Sequence, residues 1–131
     1  MTEPLTITPA QHAELTARAK GTVRIFQVDG HVYVVRKPGR ADWLKYKTDG
    51  LSTDVATRAR RDELLCRSCL VPFDPAGTVA AERLAFDTLG DEAPAMQDVL
   101  SAACVDLAYG EASVREATGF PSPASPDGTP A

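Results

Sequence analysis

Cys66-Arg67-Ser68-Cys69 is the spacing in this chain most suggestive of chemistry. Two thiols three residues apart suit either a redox dithiol or half of a zinc site. A redox pair normally opens a helix, where backbone N–H groups stabilise the thiolate. Here the pair falls near the predicted C-terminal end of a helix, where the dipole opposes that charge. A zinc site needs four ligands, and the other candidates, Cys104, His12 and His31, stand singly with no paired spacing. The expectation is that Cys66 and Cys69 are small buried side chains on a helix face, with no cofactor and no metal. A cysteine-dependent zinc or redox protein remains the alternative.

Other polar groups carry less. Neither His12 nor His31 has a nucleophile or carboxylate beside it in a recognisable motif. Asp62-Glu63 and Asp91-Glu92 are adjacent carboxylates, which point apart on a helix, so helix surface and a helix start account for them. The glycines are scattered singly and form no phosphate loop. No catalytic residue is assigned, and the expectation is a binding protein rather than an enzyme. Arg36, Arg40, Trp43 and Tyr46 lie within a basic, aromatic run and are the candidate partner contacts, because Trp, Tyr and Arg dominate interface hot spots. Trp43 is also expected to pack on the hairpin that precedes it.

The elements that must position these residues follow from local pattern. Thr8-Pro9-Ala10-Gln11 reads as a capping box that starts a helix over about residues 9–20, with Leu15 and Ala19 on its inner face and Gly21 as its stop. Residues 22–37 read as a β-hairpin around Asp29-Gly30, since a two-residue type I′ turn needs positive φ at both centres. A lone hairpin is marginal in water, so helices must cover it or another chain must extend it. Helices follow over about 40–48, ended by Asp49-Gly50, and over about 53–70, capped by Ser52 or Thr53 with Val55, Ala59, Cys66, Cys69 and Leu70 inward. Asp74-Pro75 starts a helix over about 75–89, with Phe73 as a staple, Leu84, Phe86 and Leu89 as its apolar positions and Gly90 as its end. The last helix, about 93–109, carries Met96, Val99, Leu100, Ala103, Cys104, Leu107 and Ala108 at three- and four-residue steps. Residues 1–110 are therefore expected to form a single domain of α+β class, mostly helical, followed by a flexible Pro-rich tail over 111–131.

Composition sets the limits. A chain of 131 residues, 44% hydrophobic and 24% charged, is an ordinary globular length and balance. No apolar run approaches the ~18 residues of a membrane helix, and the N-terminus lacks a secretory pattern. An odd set of cysteines argues against a secreted disulfide framework. The charge is segregated: residues 1–70 hold 12 Lys/Arg and 8 Asp/Glu, net +4, while residues 71–131 hold 2 and 10, net −8, adding to the −4 of the chain. Such a separation can steer a partner or favour head-to-tail self-association. A pI near 5.1 argues against nucleic acid.

The hairpin closing in Val34-Val35-Arg36-Lys37-Pro38-Gly39-Arg40-Ala41-Asp42-Trp43-Leu44-Lys45-Tyr46 is followed by a charged helix ending Leu64-Leu65-Cys66-Arg67-Ser68-Cys69-Leu70-Val71-Pro72. Two further helices then run to Gly110. Over about residues 22–110 this order and these residues resemble the tail assembly chaperones of long-tailed bacteriophages. The chain departs from the usual pattern in its second cysteine and its Pro-rich tail. The resemblance implies a non-enzymatic protein of the host cytoplasm that binds the tape-measure protein and keeps it soluble during tail assembly, and that is absent from the mature virion. It also leaves room for a longer frameshifted product. A small structural or adaptor subunit of the virion is the other viral reading.

Overall fold

Thr8 opens the first helix through a reciprocal cap: its Oγ accepts from the Gln11 N–H at 3.1 Å, and the Gln11 side chain accepts from the Thr8 N–H at 2.9 Å. Helix α1 (Pro9–Ala19) ends at Lys20 in the left-handed conformation, φ 60°. A computed structural model of the chain describes residues 6–110. The tail expected over 111–131 lies outside the described residues.

Strands β1 (Val23–Val28) and β2 (His31–Arg36) pair antiparallel in the register Val28↔His31, Phe26↔Tyr33, Arg24↔Val35. The turn between them is the expected one, with φ 48° at Asp29 and φ 86° at Gly30. A third strand, β3 (Leu70–Val71), pairs antiparallel with β2 through Val34↔Val71 and Val35↔Leu70. The sheet order is β1-β2-β3, so the hairpin is extended within its own chain on one side, and β1 forms the other edge of the sheet.

The two faces of the sheet bury different sets of side chains, as the period of two requires. On one face Val23, Val34 and Val71 are buried with Leu15 of α1, and Ala19, Ile25 and Phe73 pack against them. On the other, Tyr33, Val35 and Leu70 join Leu65, Cys66, Cys69, Phe86, Leu89, Leu100, Cys104 and Leu107 in the main core. The sheet is thus a middle layer, with α1 on one side and the remaining helices on the other. Phe73 belongs to the α1 side and does not staple the following helix.

Those helices depart from the expected bounds at several places. Helix α2 (Arg40–Gly50) runs two residues past the expected end at 48; Gly50 has no Cβ, and the Arg61 side chain lies where one would stand. The single helix expected over 53–70 is two, α3 (Val55–Ala59) and α4 (Arg61–Ser68), hinged at Arg60 with φ −99° and ψ 7°. Asp62 and Glu63 in the first turn of α4 favour a fresh N-terminus. Asp54, not Ser52 or Thr53, caps α3, and Val55 is exposed rather than inward.

Asp74-Pro75 makes a turn instead of a helix start. The Asp74 carboxylate accepts from the Ala76 N–H at 2.9 Å, and its carbonyl accepts from the Gly77 N–H at 2.8 Å. Helix α5 (Val79–Glu92) begins later, capped by Thr78, and continues through Gly90. Asp91-Glu92 therefore ends a helix rather than starting one. Gly90 serves packing: the Gln97 amide occupies the space of its absent Cβ and donates to the Phe86 carbonyl at 3.1 Å. On α6 (Pro94–Tyr109) the buried positions are Gln97, Leu100, Ser101, Ala103, Cys104 and Leu107, while the expected Met96 and Val99 face outward. On α5, Leu84 is exposed while Phe86 and Leu89 are inward.

Candidate functional site

Arg36 is the side chain that ties the most elements together. It leaves the end of β2 and donates from Nη1 to the Asp42 carboxylate of α2 at 2.9 Å and from Nη2 to the Ser68 carbonyl of α4 at 3.0 Å. The same Asp42 oxygen accepts from the Gly39 N–H at 2.9 Å, capping α2 in place of the side chain that glycine lacks. Burial is the largest single influence and works against both charges, yet the mutual hydrogen bond and the charge attraction together outweigh it. Arg36 is held above its ordinary value, and Asp42 is held below the usual carboxylate range, with the Gly39 N–H helping. Of the four contact candidates, Arg36 is thus engaged inside the molecule.

Arg40, at the start of α2, is exposed and has no ion-pair partner among the described residues. Trp43 and Tyr46 lie one turn apart on α2 and stack at 4.6 Å between centroids, 18° from parallel. Both are half-buried and pack against the main core. Trp43 meets Tyr109 of α6 edge-on at 6.1 Å, and the Arg61 guanidinium stands 4.9 Å over the Tyr46 ring. Trp43 therefore packs on the main core, which includes Tyr33 and Val35 of the hairpin, with Tyr109 of α6 against its edge. The four candidates share one region, the β2–α2 corner, with only Arg40 fully on the surface.

The three cysteines converge although Cys104 is far from the others in sequence. Cys66 of α4, Cys69 at its C-cap and Cys104 of α6 are free thiols with no exposed surface. A hydrogen bond to the Cys104 sulfur and then burial push the Cys69 thiol far up. Cys104 is pushed up by its bond to Cys66 and by burial, against a smaller opposing pull from Cys69. Thiols held neutral and sealed from solvent are poor nucleophiles and poor ligands. Among the described residues no group of three or more His, Cys, Asp or Glu is arranged to hold a metal ion. In folded protein at neutral pH, Ellman's reagent should label none of the three thiols promptly, and all three after denaturation; fast labelling of the native chain would contradict this burial.

One polar contact was not legible beforehand. His31 Nε2 lies 3.1 Å from the Glu82 carboxylate of α5, and its ring tilts over Tyr33 at 4.5 Å. Tyr33 donates to the Ala85 carbonyl at 3.3 Å, and burial, with Glu82 and Glu92 nearby, pushes its hydroxyl pKa up. These contacts join the hairpin tip to α5 across 51 and 52 residues of sequence, so no spacing signalled them. His12 is exposed on α1.

What the surface offers is apolar area and charge. Leu44, Leu51, Val55, Leu84, Met96 and Val99 are all exposed. Among the described residues no helix is long and apolar enough to cross a membrane. No family model, curated protein or solved structure matches the chain.

Proposed function

We propose that this chain is a non-enzymatic binding protein, a phage tail assembly chaperone that holds the tape-measure protein soluble in the host cytoplasm while the tail forms. The observation that carries the reading is a folded core that leaves large apolar side chains uncovered on several elements, Leu44, Leu51, Leu84 and Val99 among them. Their burial on a client would contribute about 25 cal/mol for each Å² removed from water, and β1 at the sheet edge offers main-chain pairing to an extended segment. The sequence likeness over residues 22–110 supplies the identity of the client. The polar groups that could do chemistry are spent elsewhere: Arg36 and Asp42 on each other, the cysteines in the core, His31 on Glu82.

Co-expression with the tape-measure protein, followed by size-exclusion chromatography, tests the reading. The two chains should co-elute and the client's soluble fraction should rise. Separate elution with no gain in solubility contradicts it. Recovery of this chain in purified particles would instead favour a virion subunit.

A further inference from the structure

Two surfaces at opposite ends of the sheet complement each other in charge and in apolar relief. At the turn end, Val28 and Tyr33 of the hairpin face Leu84 and Leu89 of α5 across a groove of about 450 Å³, with Asp29 and Glu92 also lining it. Leu84 is 68% exposed there. Neither Asp29 nor Glu92 has an ion-pair partner among the described residues. The groove is therefore greasy with uncompensated negative charge at its margin.

At the other end the chain leaves β2 and enters α2. Arg40, Leu44, Lys47 and Leu51 follow one another at three- and four-residue steps, which places them on one face of that helix and its C-cap. Leu44 is 48% exposed and Leu51 85%. Arg40 and Lys47 have no ion-pair partner among the described residues. Leucines alternating with free cations match a groove that pairs an exposed leucine with free carboxylates.

We propose that α2 of one copy docks into the hairpin–α5 groove of a second copy, with Leu44 and Leu51 against Leu84 and with Arg40 and Lys47 against Asp29 and Glu92. Strands of six residues at about 3.3 Å per residue hold the two ends of the sheet ~20 Å apart, so one chain does not close on itself. The contact is head to tail: each copy that docks by α2 still offers a free groove, and assembly continues to a ring or filament. A single groove is small beside the ~1,200–2,000 Å² of a stable interface, so association is weak and depends on concentration and salt. The proposal does not rest on the tape-measure reading.

Sedimentation velocity of the full chain tests it, at ~0.01 M and ~1 M salt, where the screening length falls from about 30 Å to about 3 Å. At low salt the wild type should shift with concentration from the 14.0 kDa monomer past the dimer, and it should shift back at high salt. A groove variant, Leu84→Lys with Glu92→Lys, and a helix variant, Arg40→Glu with Leu44→Glu, should each be monomeric alone. Mixed, they should associate again, since each keeps one intact surface and the two altered surfaces carry opposite charge. All four side chains are exposed, so circular dichroism and melting should match the wild type; if the helix variant fails to fold, Arg40→Glu with Lys47→Glu replaces it. A wild type monomeric throughout, variants that assemble like the wild type, or a mixture that stays monomeric would each overturn the proposal. A monomeric wild type whose groove variant loses the tape-measure protein would assign the groove to a client instead, and would overturn it too.

Discussion

Phe86→Ala is expected to destabilise the fold by about 3–5 kcal/mol, the cost of emptying a large buried aromatic site. Phe86 has no exposed surface and shares the main core with Cys66, Cys69, Leu100 and Cys104. Its carbonyl also receives the Gln97 amide, so α5 and α6 are registered at this residue. Small domains have ~5–15 kcal/mol of stability in all, so the loss is a large share. The melting temperature should drop by more than about 10 °C, at roughly 4 °C or more for each kcal/mol. Phe86→Leu keeps most of the volume and should cost clearly less. A fall of only a few degrees for the alanine variant, by calorimetry, would show that the core is not centred here.

The second large effect is expected at Arg36. Arg36→Ala removes the ion pair to Asp42 and the bond to the Ser68 carbonyl, and it leaves a part-buried carboxylate without its partner. A loss of about 2–3 kcal/mol follows, most of it from the stranded Asp42. Arg36→Lys should recover only part, because a single ammonium does not span both acceptors. The double variant Arg36→Ala with Asp42→Ala should lose less than the two single losses added together. Asp42 also gives the pair a pH signature. Its folded value lies below the ordinary 3.8, so the stabilisation is complete above about pH 4 and drains away as pH falls through the depressed value. Urea unfolding between about pH 2 and pH 6 should show this acid limb in the wild type and a reduced one in Asp42→Asn. Identical limbs would contradict the pairing.

What could be read from the sequence was what is decided locally. The Asp29-Gly30 turn, the Thr8–Gln11 capping box and the long last helix depend on residues within a few positions of one another, and the structure bears out the α+β, mostly helical class they imply. What was missed depends on distant partners. Strand β3 is only Leu70–Val71, and it exists because Val34 and Val35 accept it as a neighbour. The break at Arg60 divides what the sequence pattern read as one helix, because α4 turns to pack between α2 and α6. Gln97 and Ser101 took core positions that periodicity gave to Met96 and Val99: the Gln97 amide is satisfied by the Phe86 carbonyl over Gly90, and the Ser101 hydroxyl donates to the Gln97 carbonyl at 2.8 Å. Hydrophobicity alone does not foresee a polar residue whose partner lies on another helix.

The candidate surface was legible in part for the same reason. Arg36, Arg40, Trp43 and Tyr46 were identifiable as a basic, aromatic run, and they do lie at one corner of the molecule. Arg36 finds Asp42 only six residues on, but its bond to the Ser68 carbonyl follows only from the packing of α4 beside it. The hairpin–α5 groove was invisible, since its walls come from segments some 50 residues apart.

The most direct test titrates this chain into freshly diluted tape-measure protein and measures how much client stays in solution. A binder that shields apolar surface should raise the soluble fraction in proportion to its own amount, level off at a fixed molar ratio, and need no added cofactor. Full solubilisation by trace amounts, or no solubilisation at any ratio, would contradict that mode of action.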